Sequence, residues 1–319
     1  MIYFSTLFLI VSLSATLSYA APLAGQKRGI DASLLNTFNL MEQYASAAYC
    51  ASNFDSPGDQ IECGSENCPY VQIADSTTVI EYNRQETSTD VTGFVAVDHT
   101  NKMIVVSFRG SSDVDNWITN FDFDDTDTDL CSGCTAHHGF WNSWLDARDR
   151  VLAAVKDSRT TYTDYAVVVT GHSSGGAVAA LAAAQLRNTG YTVALYTFGS
   201  PRVASNTLSD YITNQPGGNY RVTHWNDPVP KLPLIIQGYV HISPEYYINK
   251  GNKKDVNEGD IKIYEGSVNL KGNSAWLLVD VEAHRWYFKS VYECAASKTK
   301  RGILEIGEGG GSVEVFAMF

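Results

Sequence analysis

The sequence predicts an α/β fold, and three consecutive patterns near its centre indicate it. The apolar, β-branched strand pattern YAVVVT (165–170) is followed by the alanine-rich helical pattern AVAALAAAQL (177–186) and by a second strand pattern, VALYTF (193–198). A strand, a helix and a strand at this spacing predict two parallel strands joined by a helical crossover. Because 319 residues, 44% of them hydrophobic, can bury one large core, we expect one undivided domain.

Segments on both sides of this unit extend the α/β pattern. Apolar residues recur at helical spacing between Asp31 and Cys50, which predicts an amphipathic helix with Asp31 as its N-cap. The stretch GFVAVDHTNKMIVVSFRG (93–110) alternates about the turn HTNK, which predicts a hairpin with a buried second arm. Apolar residues between Phe140 and Val155 predict a further helix before the central strand.

The beginning of the chain has the composition of removable segments. Residues 1–20 contain no charged side chain, are apolar through Val11 and end in the small-residue pattern SYA, which predicts a cleaved secretory signal peptide. A membrane anchor is the competing interpretation, but the continuous apolar stretch is short for a span. Residues 21–28 end in the dibasic pair Lys27 and Arg28, which is typical of propeptide processing.

We therefore expect the folded domain to cover residues 29–295 and the mature protein to be extracellular. The tail 296–319 follows it, and three interpretations of this tail stay open. It is a disordered extension, a segment removed at Lys300 and Arg301, or an error of gene prediction.

Six cysteines in a secreted chain predict disulfide bonds. Their spacing favours three pairs: Cys63 with Cys68, Cys131 with Cys134, and Cys50 with Cys294. The alternative is a zinc site on the C-x-x-C pair with His137 or His138, but no second cysteine pair completes such a site. We expect no metal and no cofactor.

A possible nucleophile lies between the central strand and its helix. The segment GHSSG (171–175) has the form G-x-S-x-G, in which a sharp strand-to-helix turn presents the middle serine, here Ser173. The alternative is that the glycines serve only the geometry of the turn. The strand before the segment and the helix after it favour a catalytic elbow.

A serine hydroxyl needs a base and an acid that orients the base. In folds with such an elbow, the acid follows the serine along the chain, and the histidine follows the acid. Asp227 opens a proline-rich loop after a strand pattern, where open α/β sheets place their sites, although an aspartate before a proline also initiates turns. After Asp227 the candidate bases are His241, inside an alternating stretch, and His284, which we expect in a late loop that reaches back over the sheet. The position of His284 favours it.

At these residues the chain resembles the secreted fungal class 3 lipases of the Rhizomucor and Thermomyces type. The resembling segments are collinear and span roughly Asp31 to Cys294. They are IVVSFRGS (104–111), DNWITNFDF (115–123), CSGC with HHGF (131–140), VTGHSSGGAVAALAA (169–183), YTFGSPRV (196–203), HWNDPVPKLP (224–233), GYVHISPEYYI (238–248) and AHRWYF (283–288).

The resemblance implies an α/β-hydrolase fold with a central, mostly parallel sheet and a short helical lid. It implies Ser173 as nucleophile, His284 as base and Asp227 as acid, and it agrees with the three cysteine pairs. It also implies that the backbone of Ser174 and the backbone and hydroxyl of Ser111 stabilise the oxyanion. Most members carry Leu where this chain has Ser174, a change that leaves the backbone donor in place.

The lid implied by the resemblance covers residues 112–121. Its apolar side chains share one face at helical spacing, and they are Val114, Trp117, Ile118 and Phe121. An ordinary surface helix is the alternative. Exposing this face to water would cost several kcal/mol, at about 1.5 to 3 kcal/mol for each large side chain, so a closed lid should dominate until a lipid surface accepts the face.

These observations predict a secreted triacylglycerol lipase, a monomer that touches lipid only at the oil–water surface. The net charge of −12 argues against nucleic acid and anionic membranes as partners. Seven aspartates between Asp113 and Asp129 favour neutral glycerides. The alternatives are a feruloyl esterase, a phospholipase A1 or, in another class, a non-catalytic lipid-binding protein.

Overall fold

A computed structural model gives the structure of the chain and describes residues 29–54, 57–64, 66–83 and 87–295. The expected signal peptide (1–20), propeptide (21–28) and tail (296–319) lie outside the described residues. Within those ranges, no helix is both long and apolar enough to cross a membrane.

The centre of the described part of the chain is an eight-stranded sheet in the order β1-β2-β3-β6-β7-β8-β9-β10. Strands β3, β6, β7, β8 and β9 run parallel to one another, while β1, β2 and β10 pair in antiparallel fashion at the two edges of the sheet. The remaining strands, β4 and β5, form a small antiparallel ribbon. The strands are β1 (Ser76–Tyr82), β2 (Gly93–Asp98), β3 (Met103–Phe108), β4 (Asp125–Asp127), β5 (Thr135–His137), β6 (Ala166–His172), β7 (Val193–Phe198), β8 (Asn219–His224), β9 (Glu245–Ile248) and β10 (Ile261–Tyr264).

Helices cover both faces of this sheet, as the α/β prediction requires. The α-helices are α1 (Ala32–Ala47), α2 (Pro69–Ile73), α3 (Val114–Thr119), α4 (His138–Thr161), α5 (Ser174–Asn188), α6 (Asn206–Asn214) and α7 (Val281–Arg285). The first of them begins where the sequence predicts, because the Asp31 carboxylate accepts a hydrogen bond from the Leu34 amide at 2.8 Å.

Side chains of the central strands alternate between two apolar layers. In β3, Ile104 and Val106 point to the layer formed with α4 and α5, while Val105 points to the layer formed with α1. All three are fully buried, as expected for a strand covered on both faces. Because the central strands are buried on both faces, their ends are held in place, and the candidate site lies at these ends.

The predicted hairpin, central crossover unit and long helices are confirmed, and two segments differ from the prediction. Only Glu245–Ile248 of the alternating stretch 238–248 forms a strand. His284 lies in the short helix α7 rather than in a loop.

The three disulfide bonds join the cysteines that the spacing favours. Cys63 is bonded to Cys68, Cys131 to Cys134, and Cys50 to Cys294. The last bond joins residues 244 positions apart and fastens the end of the described chain to the segment that follows α1. Because Cys131 and Cys134 are bonded to each other, the zinc alternative loses its two sulfur ligands.

Candidate active site

Ser173 lies on a strained turn between β6 and α5. Its φ is 58° and its ψ is −134°, a conformation that residues other than glycine rarely adopt. Its backbone N–H donates to the Phe198 carbonyl at 2.9 Å. A Cβ added at Gly171 would lie 2.3 Å from the Gly175 carbonyl oxygen, and one at Gly175 would lie 2.4 Å from the Phe108 carbonyl oxygen. The two glycines therefore permit the close approach that presents Ser173.

Asp227 and His284 meet beside this turn, although 57 residues separate them. Asp227 follows the end of β8, and His284 is carried back to the same edge of the sheet by α7. The His284 Nδ1–H donates to the Asp227 carboxylate, with distances of 2.8 Å to Oδ2 and 3.0 Å to Oδ1. Both side chains are fully buried, as is Ser173.

Two further groups hold the Asp227 carboxylate. The Val229 amide donates to Oδ1 at 2.8 Å, and the Tyr287 hydroxyl donates to Oδ2 at 2.7 Å. Burial raises the pKa of Tyr287 well above its usual range, and the neighbouring Asp227 carboxylate adds to this effect, so the phenol stays a donor. With His284, these donors saturate the carboxylate and fix its orientation.

Ser173 Oγ and His284 Nε2 are both buried, and neither has a hydrogen-bond partner. These are the two atoms between which a proton must pass if His284 activates Ser173. Hydrogen bonds of this kind often tighten only when substrate binds. A buried polar atom without a partner is costly in free energy, so each of these two atoms calls for an explanation.

His172, the residue before Ser173, links the two sides of the site. Its Nε2–H donates to the His284 carbonyl at 2.8 Å, and its Nδ1 accepts a hydrogen bond from the Tyr49 hydroxyl at 2.7 Å. The Tyr49 oxygen in turn accepts from the Gly110 amide at 3.1 Å. Burial, and then the neighbouring His284 ring, hold the pKa of His172 well below its usual range, so this imidazole is neutral.

Gly199 has no side chain, which leaves room for the side chains of Asp227 and His284. A Cβ at this position would lie 2.9 Å from Asp227 Oδ2 and 2.9 Å from His284 Cε1, and the backbone there has a φ of +60°. Sequence reasoning missed Gly199, Tyr287 and His172 as parts of the site. Three features of the sequence could have pointed to them. Gly199 lies in the FGSP turn at the end of a central strand, Tyr287 is an aromatic residue three positions after His284, and His172 lies inside the elbow.

Ser111 and Ser174, the predicted oxyanion donors, line one cavity of about 660 Å³. Ser174 is the first residue of α5, so its N–H is among those without a partner inside the helix. Ser111 follows β3, and its hydroxyl donates to the Asp113 carbonyl at 3.1 Å. In this lid position the Ser111 hydroxyl is therefore engaged with the start of the lid.

The lid helix α3 is shorter than the amphipathic pattern. It covers six residues, begins after the N-cap Asp113, and leaves Phe121 beyond its end. Val114 is buried, while Trp117, Ile118 and Phe121 are half-buried against the core. The Trp117 ring packs edge-on against Phe121 at 4.5 Å. All four apolar residues thus face inward, and the aspartates of the lid face solvent.

The charged side of the lid touches the segment that carries His284. Arg285 Nη2 lies 2.7 Å from the Asp115 carboxylate, and its guanidinium also pairs with Glu282. The same guanidinium lies over the Tyr292 ring at 5.6 Å from its centroid. The hydroxyl of Tyr292 donates to the Ser112 carbonyl at the base of the lid.

The other candidate base lies elsewhere. The His241 Nε2–H donates to the Pro230 carbonyl at 2.7 Å, and this histidine lines a separate small cavity with Arg202 and Arg221. Burial, and then these two guanidinium groups, hold the pKa of His241 well below its usual range. Among the described residues, no group of three or more His, Cys, Asp and Glu side chains is arranged to hold a metal ion.

An α/β-hydrolase fold with a buried serine on an elbow, next to a histidine bonded to a carboxylate, defines a serine ester hydrolase. Two family models match this chain: Lipase (class 3) over residues 105–237 and Lipase 3 N-terminal region over residues 7–80. The chain belongs to the class 3 lipase family, and it is a lipase of the serine carboxylic ester hydrolase class.

The most similar proteins include fungal lipases. Secreted mono- and diacylglycerol lipase A of Penicillium cyclopium is 45% identical over 289 residues, which cover 89% of this chain and 94% of that protein. Secreted mono- and diacylglycerol lipase 1 of Fusarium solani is 44% identical, over 82% of this chain and 78% of that protein. The crystal structure of a mono- and diacylglycerol lipase from Aspergillus oryzae matches with a TM-score of 0.78 and 45% identity, over 82% of this chain and 98% of that one.

Proposed function

We propose that this lipase hydrolyses ester bonds of mono- and diacylglycerols at a lipid surface, through an acyl-enzyme on Ser173. The observation that carries the mechanism is the pair of buried, unpartnered atoms Ser173 Oγ and His284 Nε2, with His284 Nδ1 already bonded to Asp227. A feruloyl esterase would use the same three groups, so the substrate class rests on the lid and on the relatives.

The proposed reaction has two halves. His284 Nε2 takes the Ser173 proton while Oγ attacks the ester carbonyl, and the Asp227 carboxylate stabilises the imidazolium that forms. The imidazolium then gives its proton to the leaving glycerol oxygen, which leaves the acyl group on Ser173. Water attacks the acyl-enzyme with His284 again as base, and the fatty acid departs.

The oxyanion of each tetrahedral intermediate needs donors that are already in place. We assign this role to the backbone N–H of Ser174 and to Ser111, for which each donor is worth about 2.7 to 4 kcal/mol. The Ser111 hydroxyl now donates to Asp113 at the start of the lid. Opening the lid would free this hydroxyl, so in this proposal lid opening and completion of the oxyanion hole are one event.

The choice of partial glycerides rests on the names of the relatives that match most of the chain. Three of them are called mono- and diacylglycerol lipases, at 44 to 45% identity. The triacylglycerol expected from the lid is the second candidate, because the half-buried face of Trp117 and Ile118 suits any neutral lipid surface. Exposed aspartates around the lid, among them Asp113, Asp115 and Asp124, disfavour anionic phospholipid.

Hydrolysis of matched emulsions tests the substrate class. The rates of hydrolysis of monooleoyl-, dioleoyl- and trioleoylglycerol would be compared at equal surface area. Methyl ferulate would represent the substrates of a feruloyl esterase, and phosphatidylcholine those of a phospholipase. We expect the two partial glycerides to be cleaved at least about tenfold faster than trioleoylglycerol, a difference of about 1.4 kcal/mol in transition-state binding. Equal rates on all three glycerides would favour a general triacylglycerol lipase, and a preference for methyl ferulate would contradict both.

We also propose that the mature protein is an extracellular monomer that has lost residues 1–28. The names of the relatives call them secreted, which supports this location. Expression of the full chain in a fungal host, followed by N-terminal sequencing of the medium protein, tests it. A mature chain that begins at Gly29 supports both predicted cleavages, and an intact residue 1 in the cell pellet contradicts them.

A further inference from the structure

Asn273 is a buried amide that contacts the main chain around the proposed acid from a distant loop. It is 1% exposed and lies in the 3-10 turn Gly272–Ala275. Its Nδ2 group donates to the Asp227 carbonyl at 2.9 Å and to the Trp225 carbonyl at 3.2 Å. One side chain therefore satisfies two acceptors in the turn that leads from β8 to the Asp227 carboxylate, across a separation of 46 residues.

That turn needs external support. Trp225 has a φ of 40°, in the left-handed region that a bulky side chain rarely adopts. Within the turn, the Asp227 amide donates to the His224 carbonyl at 3.1 Å, which closes the loop but leaves its other carbonyls to outside donors. Without Asn273, two acceptors next to a fully buried carboxylate would lose their partner, and the turn would relax toward less strained backbone angles.

Asn273 is itself fixed to the sheet through Glu245 on β9. Glu245 Oε1 accepts hydrogen bonds from the Thr223 hydroxyl of β8 at 2.6 Å and from the backbone N–H of Asn273 at 3.3 Å. Its other oxygen accepts from the Asn269 side chain. Glu245 is 2% exposed, so the loop is attached to the same pair of strands that positions Asp227.

We propose that Asn273 is a positioning residue of the ester hydrolysis, which fixes the backbone of Asp227 and through it the angle of the His284 ring. This inference rests on the proposed catalytic role of Asp227. A misplacement of about 1 Å at a catalytic group can cost on the order of a hundredfold in rate. Asn273 touches neither the lid nor the cavity of about 660 Å³, so it acts on turnover rather than on substrate binding.

The test compares Asn273→Ala with Asn269→Ala, a matched variant in the same loop. Asn269 also donates to Glu245 but bonds within its own loop otherwise, to the Lys271 amide, rather than to the Asp227 turn. On a soluble p-nitrophenyl ester, we expect Asn273→Ala to lower kcat about ten- to a hundredfold with KM within about twofold of wild type. The rate of labelling by a fluorophosphonate should fall in the same ratio. Asn269→Ala should keep kcat within about twofold, even where its melting temperature falls.

A second comparison separates this inference from the proposed triad. If Asn273 acts through Asp227, then Asn273→Ala added to Asp227→Asn should lower the residual kcat no further, because groups that act as a unit are not additive. Wild-type turnover in Asp227→Asn alone would overturn the triad and this inference with it. An inactive Asp227→Asn together with normal turnover in Asn273→Ala would overturn this inference only.

A variant that keeps a donor guards against misfolding. Should Asn273→Ala be recovered in too small an amount, Asn273→Ser replaces it, since the shorter hydroxyl can still donate to one of the two carbonyls. We expect an intermediate kcat for Asn273→Ser and a weakened low-field NMR signal of the His284–Asp227 proton. An unchanged signal and an unchanged kcat would contradict the positioning role.

Discussion

The two halves of the candidate site are built in opposite ways. Asp227 and His284 are fully buried, and the Asp227 carboxylate accepts buried hydrogen bonds from His284, Val229 and Tyr287. On the lid side, a six-residue helix rests on the body through half-buried apolar side chains and a solvent-exposed ion pair between Asp115 and Arg285.

This difference separates two tasks within one site. Buried hydrogen bonds in a low dielectric are strong and hold a geometry, which suits groups that must be in place before substrate arrives. Apolar contact with a partly exposed face is non-directional and can be exchanged for lipid, which suits an element that must move. Exposed ion pairs contribute little stability, so the Asp115–Arg285 pair sets where the lid rests at small energetic cost.

The largest effect on turnover should come from removing the proposed nucleophile or the proposed base, which are both fully buried. We expect Ser173→Ala and His284→Ala each to lower kcat by about 10⁴- to 10⁶-fold. Thermal unfolding of Ser173→Ala should stay close to wild type, because Ser173 Oγ makes no hydrogen bond. His284→Ala should unfold at a lower temperature, because it also removes the Nδ1–H that donates to the buried Asp227 carboxylate at 2.8 Å.

His241→Ala is the matched control for this pair of variants. Its imidazole is buried against the Pro230 carbonyl at 2.7 Å but lies outside the triad, so we expect a lower melting temperature with kcat largely kept. A loss of turnover in His241→Ala that equals the loss in His284→Ala would show that the base is assigned to the wrong histidine.

A smaller effect on activity should follow from changing the apolar face of the lid. Replacing Trp117 and Ile118 by Ser removes apolar area that seals the closed lid and anchors the open one. The increase in tributyrin hydrolysis above the solubility limit should shrink about tenfold, which corresponds to about 1.4 kcal/mol of lid equilibrium. The measurement is initial rate against tributyrin concentration on both sides of that limit.

The control for the lid changes its exposed face. Thr119→Ser alters an exposed residue of the same helix that does not line the cavity, and we expect this variant to keep the wild-type increase. A smooth saturation curve below the solubility limit, alike in all three proteins, would mean that α3 is an ordinary surface helix.

The smallest effect on turnover is expected from a buried acid in α1, which acts on stability. Glu42 in α1 is fully buried, and burial raises its pKa from 4.5 to about 8, partly offset by the Lys289 amide that donates to it at 3.4 Å. Between these two values the folded chain keeps a proton that the unfolded chain has lost. Stability therefore falls as the pH rises from about 4.5 to about 8, and the full cost remains above that range.

Glu42→Gln should remove this dependence, since the amide carries no charge at any of these pH values. We expect the melting temperature of the variant to decline less than that of wild type between pH 5 and pH 8.5, with Glu62→Gln, an exposed change, following wild type. Parallel decline in all three proteins would show that Glu42 ionises in the folded state as it does in the unfolded one.

The sequence predicted the parts of the fold and site that depend on local pattern. The elbow around Ser173 was readable because a strand, two glycines and a helix adjoin it, and Asp227 because it follows a strand pattern. His284 could be placed only through its position after Asp227 and through the family resemblance. Its location on α7 depends on an N-cap, Asp280, whose carboxylate accepts from the Glu282 amide at 2.9 Å.

The groups that sequence reasoning missed act across long separations. Tyr287 reaches Asp227 over 60 positions, and Asn273 reaches it over 46. No periodicity marks such residues, because their role is set by where the loops return and not by their neighbours in the chain. The shortness of α3 was also hidden, since the amphipathic pattern continues to Phe121 while the helix ends at Thr119.

The bond between Cys50 and Cys294 closes most of the described domain into a covalent ring, because it joins residues 244 positions apart. A protease that cuts once in the exposed acidic stretch before Cys131 would therefore leave two pieces that still migrate together on a non-reducing gel. They would separate only after a thiol is added. Non-reducing electrophoresis of partly digested culture medium would therefore count such cut molecules as whole, whereas reducing electrophoresis would reveal them.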